Sequence, residues 1–467
     1  MSAASLLATA DALVPARWQM AVTLGAHIVL ACFGVAFPAV IFVVHRRGLR
    51  RGDDVALGLA RRWSKVTAVL FAVGAVSGTI LSFEMGMLWP GFMRAYGDVI
   101  GLPFALEGIA FFVEAIFIGI YLYGWGRLPG RVHLATLIPV AVAGVVGTFC
   151  VVAVNAWMNG PAGFRLAAGE VVDVDPWAAM FNPGVWLQSL HMLIAAFMVV
   201  GFTVAAVYAA GLLRGRDDRH HRLGFAVPFA FAAIAALAQP LVGHLLGGRL
   251  NANQPAKLAA IELADTTETP SPLAIGGVLV DGERRYALEI PALGSLIARG
   301  GTDRPVRGLD EFPNSERPPD GLATLVHWSF QAMVAIGLAL AALSAGFWVA
   351  RRRGRDWLTS RRFLRAAVVA GPAAVLALEL GWVTTEVGRQ PWIAQRLMRV
   401  EDAVTDSRGV WVSLVVVVVV YTAMLAGAAL VLRSMARRWR AGEAIDLPTP
   451  YDPSGETGTG RPATLAP

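Results

Sequence analysis

The chain reads as long, almost unbroken apolar blocks separated by short polar connections. No block shows the two-residue alternation of a half-buried strand, and most are too uniformly apolar for the one-sided stripe of a soluble helix. A bilayer crossing takes roughly 20 helical residues. Scanned with a window of about that length, the sequence contains nine blocks that suffice, near 17–44, 66–89, 102–125, 134–158, 184–213, 223–246, 322–350, 364–386 and 409–434. The pattern predicts an all-α polytopic membrane protein of about nine transmembrane helices.

Composition agrees, with 56% hydrophobic and 16% charged residues in 467. The formal charge of +7 does not indicate a nucleic-acid partner, because the arginines crowd alternate connections: "HRRGLRRGDDVALGLARRWSK", "RGRDDRHHR", "RRRGRDWLTSRRFLR" and "RSMARRWR". The intervening ones, such as "AAGEVVDVDPW" and "RVEDAVTDSRG", are mixed or acidic. By the positive-inside rule the basic set is cytoplasmic. This puts the N-terminus outside, the C-terminus inside, and the number of spans odd. Met1–Ala16 lacks the basic start and apolar core of a cleavable signal, so the first span is expected to direct insertion. The chain divides into spans one to six (1–246), an outer polar loop (247–321), spans seven to nine (322–440) and a Pro/Gly/Thr-rich tail (441–467) expected to be disordered and cytoplasmic. Cys32 and Cys150 fall inside predicted helices and are expected simply to pack.

Ionisable groups at membrane depth are costly and mark function or pairing. His45, His133, His220 and His221 stand among arginines and are expected to be solvated; His244 and His327 lie near outer helix ends. His27 and His191 lie within spans, in the outer half. Glu107 and Glu114 are seven residues apart, nearly two turns, and so share a helix face. Met333 sits at comparable depth. Glu386 and Arg389 close the stretch "GWVTTEVGRQPW" with Trp382 and Trp392. Each alone has a plain reading: Met333 as filler, Glu107 and Glu114 paired with an arginine such as Arg94, Glu386 capping its helix against Arg389, the tryptophans as an interfacial belt. Together they place histidine, methionine and carboxylate at one depth. His/Met pairs ligate low-spin haem iron, and stacked carboxylates suit a proton path. Zinc fits less well, since no HExxH occurs and the candidates lie on separate helices.

Seven motifs in order carry a family resemblance: "RWQMAVTLGAH", "ALEGIAFFVEAIFIGIYLYGW", "NAWMNGPAGF", "LQSLHM", "NQPAKLAAIE", "HWSFQAM" and "GWVTTEVGRQPW". The sequence resembles subunit I of the cytochrome bd-type quinol oxidases over almost its whole length. The resemblance implies an inner-membrane, multi-pass terminal oxidase that oxidises membrane quinol and reduces dioxygen to water, building proton motive force without pumping. It implies two b-type haems, one low-spin and one high-spin, and a haem d or third b-type haem. It also implies an oxidase subunit II as partner and allows a small single-helix subunit. His191 and Met333 would ligate the low-spin haem, and His27 and Glu386 the two high-spin haems. Glu107 and Glu114 would carry protons, Lys257 and Glu262 would serve quinol oxidation, and Trp382 and Arg389 would lie against a haem. The outer loop is short, as in the cyanide-insensitive branch.

Two positions depart from the family pattern. Gln331 stands where arginine is usual two residues before the haem methionine, and Gly126 replaces the acidic residue of "GWDR". Loss of the arginine is expected to leave a propionate less neutralised and the low-spin potential lower. Two other functions fit parts of the sequence. A proton-coupled transporter would use Glu107, Glu114 and Lys257 but leaves the His191/Met333 pair without purpose. A haem b electron-transfer subunit that never meets oxygen has no need of His27 and Glu386.

Overall fold

A computed structural model describes residues 3–299, 301, 305–354, 356 and 360–443; most of the proposed tail lies outside the described residues. Among them are nine helices long and apolar enough to cross a membrane: Ala12–Arg51, Asp54–Leu88, Pro90–Tyr123, Gly130–Asn159, Val185–Leu213, Arg219–Asn253, Asp320–Arg352, Arg361–Val387 and Val410–Arg440. They are called the first to ninth spans here. At about 1.5 Å per residue even the eighth reaches roughly 40 Å, so each protrudes beyond a hydrocarbon core of roughly 30 Å.

The spans run alternately between a basic end and an end carrying the longer connections. At the basic end the connections are short, and three of the four returning helices start on side-chain caps. Asp53 accepts from Ala56 N–H, Asp218 from His221 N–H and Ser360 from Phe363 N–H, each satisfying one of the orphan donors of a first turn. Asp53 is buried yet ionised: its burial opposes charge, but Arg47, the Ala56 N–H and Arg219 hold its carboxyl below the usual range. Gly126, where the family pattern expects an acid, has a φ of +74°, a left-handed turn conformation that glycine adopts without steric cost.

The main apolar core joins the first span to the fifth, sixth, seventh and eighth. A second core lies towards the loop end of the first four spans and includes Ile393, Ala394, Val400 and Ala403 of the connection before the ninth. The sixth helix continues to Asn253, and the connection beyond it is folded. A short helix, Pro255–Glu262, is followed by two small antiparallel pairs, Leu273–Ile275 with Leu288–Ile290 and Val278–Val280 with Glu283–Arg285. Ala259, Ile261, Leu263, Ala274, Leu279, Val306, Leu309 and Phe312 form a core of its own against Ala323 and Val326 of the seventh span.

Side chains along the seventh span fasten this loop. Asp320 accepts from Gly282 N–H, Thr324 from Leu279 N–H, and Trp328 donates to Gly277 O. Both ring nitrogens of buried His327 face carbonyls, Ile261 O at 2.8 Å and Gly276 O at 3.0 Å. Gln331 donates to Ala274 O at 2.6 Å and accepts from Gly276 N–H at 2.9 Å. Gln331, at the position where the family pattern has arginine, is thus a backbone clamp on the loop.

Candidate functional site

The carboxylate of Glu386 ends the eighth span, one turn before Arg389, and the two form an ion pair. This is the capping contact anticipated for that spacing, but it is not the whole arrangement. The other Glu386 oxygen accepts from Asn155 Nδ2 at 2.5 Å. Asn159, one turn along the fourth span, donates to Asn155, and Gln254 donates to Asn159 Oδ1 at 3.0 Å and its carbonyl at 2.9 Å. A polar chain thus connects the start of the outer loop to Glu386. Lys257, on the short helix following Gln254, donates to Thr385 O at 3.0 Å and lies against Gly388. Burial, then the nearby Arg389 charge, pushes its amine down to about 7, with Glu386 acting in the opposite sense. Glu262, at the far end of the same helix, is pushed up to about 7 by burial. Two groups of opposite type are thereby brought to the same near-neutral range, where each can gain or lose a proton.

His27, His191 and Met333 each lie in the loop-end half of their spans and each touches a glycine. His27 Cε1 would stand 2.9 Å from a β-carbon at Gly78, Met333 Sδ 3.0 Å from one at Gly381, and His191 Cε1 3.7 Å from one at Gly243. His27 Nδ1 hydrogen-bonds Ser77 Oγ at 2.9 Å, leaving Nε2 free of that contact. His191 Nε2 is 3.2 Å from Gln239 Nε2. The donor set suits haem iron, a pair of imidazoles with a thioether and a carboxylate. The unpartnered atoms suit it too. Among the described residues His191 Nδ1, Gln239 Oε1, Ser189 Oγ, Arg17 Nε, Arg389 Nη1 and Trp392 Nε1 are buried without a hydrogen-bond partner. Buried polar atoms are seldom left so; the arginine and tryptophan donors match what propionates accept. The residues present fit the group. Trp382 packs at the edge of the main core.

Glu107 and Glu114 share one face of the third span as their spacing requires. Glu107 approaches Gly147 of the fourth span, and a Glu114 oxygen lies 3.0 Å from where a β-carbon of Gly34 in the first would stand. Among the described residues no ion pair joins either to Arg94. Two expectations about histidines fail. His45 and His133 are not solvated but 1% and 3% exposed, because Tyr121 of the third span and Trp125 just beyond it pack against both rings.

Other buried carboxylates were not singled out from the sequence. Glu84 is wholly buried and accepts from Gln19 Nε2 at 2.9 Å and Thr23 Oγ1 at 2.6 Å; Ser413 Oγ in turn donates to Gln19 Oε1 at 2.7 Å. The available signal was the four-residue spacing of Gln19, Thr23 and His27, one polar stripe on an otherwise apolar helix. Glu379 lies near Gly25 and borders a groove between the fifth and eighth spans.

The sequence profile of cytochrome bd terminal oxidase subunit I matches residues 15–439. The solved bd oxidase from Geobacillus thermodenitrificans contains a chain with a TM-score of 0.86 and 38% identity, covering 92% of this chain and 99% of that one. A Bacillus subtilis (strain 168) protein, named provisionally as a cytochrome bd menaquinol oxidase subunit I, is 35% identical over 447 residues, 93% of this chain and 99% of the relative. A cytochrome bd ubiquinol oxidase subunit 1 of the same organism is 28% identical, over 94% and 97%. With its nine spans and this near full-length match, the chain belongs to the cytochrome bd terminal oxidase subunit I family.

Proposed function

We propose that this chain is the haem-bearing subunit of a quinol:oxygen oxidoreductase in the bacterial cytoplasmic membrane, working with an oxidase subunit II. In this reading its basic end faces the cytoplasm and its loop end the outside. His191 and Met333 hold a low-spin b haem, His27 and Glu386 hold the two high-spin haems, and the third is haem d or another b-type haem. Haem supplies reversible one-electron transfer and, where a coordination position is open, oxygen binding. What supports the reading most directly is that all four side chains lie in the loop-end half of their spans, with glycines beside three of them and orphaned donors nearby.

The chain's own residues then have definable tasks. Lys257 and Glu262 border the quinol site, and the near-neutral range of both lets one receive a hydroxyl proton while the other donates to a carbonyl. Arg389 pairs with Glu386 and offers Nη1 to a propionate. Ser77 sets the tautomer of His27, which directs Nε2 to the metal. Glu107 and Glu114 hold protons bound for oxygen reduction, taken from the side opposite to that where quinol releases its own. A dithionite-reduced minus oxidised spectrum of the purified complex tests the reading. Low-spin and high-spin bands are expected, with carbon monoxide shifting only the high-spin ones; a colourless preparation would instead favour a proton-coupled transporter.

A further inference from the structure

The stripe that carries Glu107 and Glu114 does not stop there. Tyr121 lies seven residues beyond Glu114, so the third span presents three ionisable groups in line, each roughly 10 Å from the next along the axis. At the basic end the stripe meets a buried cluster. Tyr121, His45 and His133 are 3%, 1% and 3% exposed. The phenol hydroxyl lies 3.0 Å from His45 Nδ1. His133 Nε2 donates to Tyr121 O at 2.8 Å, and its ring stacks on the phenol at 4.6 Å. Trp125 stacks on His45 at 4.9 Å. Apart from these three rings, no charged or titratable side chain among the described residues hydrogen-bonds to the His45, Tyr121 or His133 side chains. Such a cluster has little value as packing, since apolar rings would fill it without desolvating imidazoles.

Beside Tyr121 lies a cavity of about 10 Å³ lined also by Ser64, Thr67 and apolar residues including Pro38, Ile41 and Ile118, the last one turn from Glu114 on the third span. That volume is the lower bound for one water. Pro38 has no N–H to give, so the Gly34 carbonyl lacks its usual partner one turn on, and Gly34 is the residue beside which the unpartnered Glu114 Oε1 lies. Acceptors and hydroxyls therefore continue from the cluster towards the carboxylate.

We propose that His45 and Tyr121, positioned by His133, are the intake of the proton path to Glu114 and Glu107; this rests on the oxidase reading above. A proton from water at the basic end binds His45. His45 Nδ1–H passes it to the phenol oxygen as the phenol's own proton leaves for water in the cavity, and a proton from that water forms the O–H of Glu114. Nothing is oxidised or reduced in these steps. His133 spends its Nε2–H on the Tyr121 carbonyl and acts through position alone.

The test uses Tyr121→Phe and His45→Gln in the intact complex, with His221→Gln, a half-buried basic-end histidine that bonds Asp218 and lies off the proposed path, as control. Quinol-driven oxygen consumption is measured per haem from pH 6 to 9. In both variants turnover should fall about tenfold or more, the deficit should widen as pH rises and proton supply becomes limiting, and reduced and carbon monoxide spectra should match the parent. The control should match the parent throughout. Parental turnover in either haem-replete variant overturns the proposal, as does a loss equal at every pH, which marks a packing defect. Absence of haem from the parent complex would instead refute the oxidase reading itself.

Discussion

Lys257→Met isolates the electrostatic cost carried at the base of the outer loop. The unfolded chain keeps this lysine protonated up to its ordinary 10.5, whereas the folded site protonates only below about 7. Across that interval the unfolded state holds the extra proton, so stability rises with pH. Near pH 7 the folded state bears a penalty of up to roughly 5 kcal/mol, reduced by relaxation and water entry. Methionine keeps most of the volume, removes the charge and gives up the bond to Thr385 O, worth about 1 kcal/mol. A net local gain of about 2–4 kcal/mol is expected at pH 7, which slows amide exchange in Pro255–Glu262 by about 30- to 1000-fold if that segment opens locally. The advantage should shrink by roughly 1.4 kcal/mol per pH unit towards pH 9, because only the parent gains stability there. Quinol oxidation should be lost while the haem spectra persist. Hydrogen exchange by mass spectrometry at pH 7 and 9 decides the matter: a variant less protected than the parent, or a difference unchanged with pH, refutes the argument.

Four further outcomes follow from the site and loop contacts. Met333→Leu should remove the low-spin signal and spare the carbon monoxide response; retention of both signals counts against the ligand assignment. Asn155→Leu strips Glu386 of one donor, costing about 1–3 kcal/mol, and should alter the high-spin spectrum more than the low-spin one, which a reduced-minus-oxidised comparison reads directly. Gln331→Ala removes two bonds to Ala274 and Gly276 and should raise proteolytic cleavage of the outer loop. Gln331→Arg, by contrast, should raise the low-spin potential, and a redox titration showing no change would argue against a propionate within its reach.

The sequence by itself determined the nine spans, because length and apolarity suffice to define a crossing wherever lipid forbids unpaired backbone. It also placed Glu107 and Glu114 on one face, since helical pitch makes seven residues nearly two turns. Only tertiary structure decided which helix each face meets. His45 and His133 looked solvated beside their arginines and prove buried, because rings from a different span cover them. Gln331 showed in the sequence only as a missing arginine, and the fold gives it the task of holding the loop, through backbone atoms more than fifty residues away. The Gln254–Asn159–Asn155–Glu386 chain joins an outer loop and two spans that sequence keeps far apart. The physical reason is common to all three cases: helical periodicity is local and leaves its mark in neighbouring residues, whereas the partner of a buried polar group is chosen by packing between distant segments.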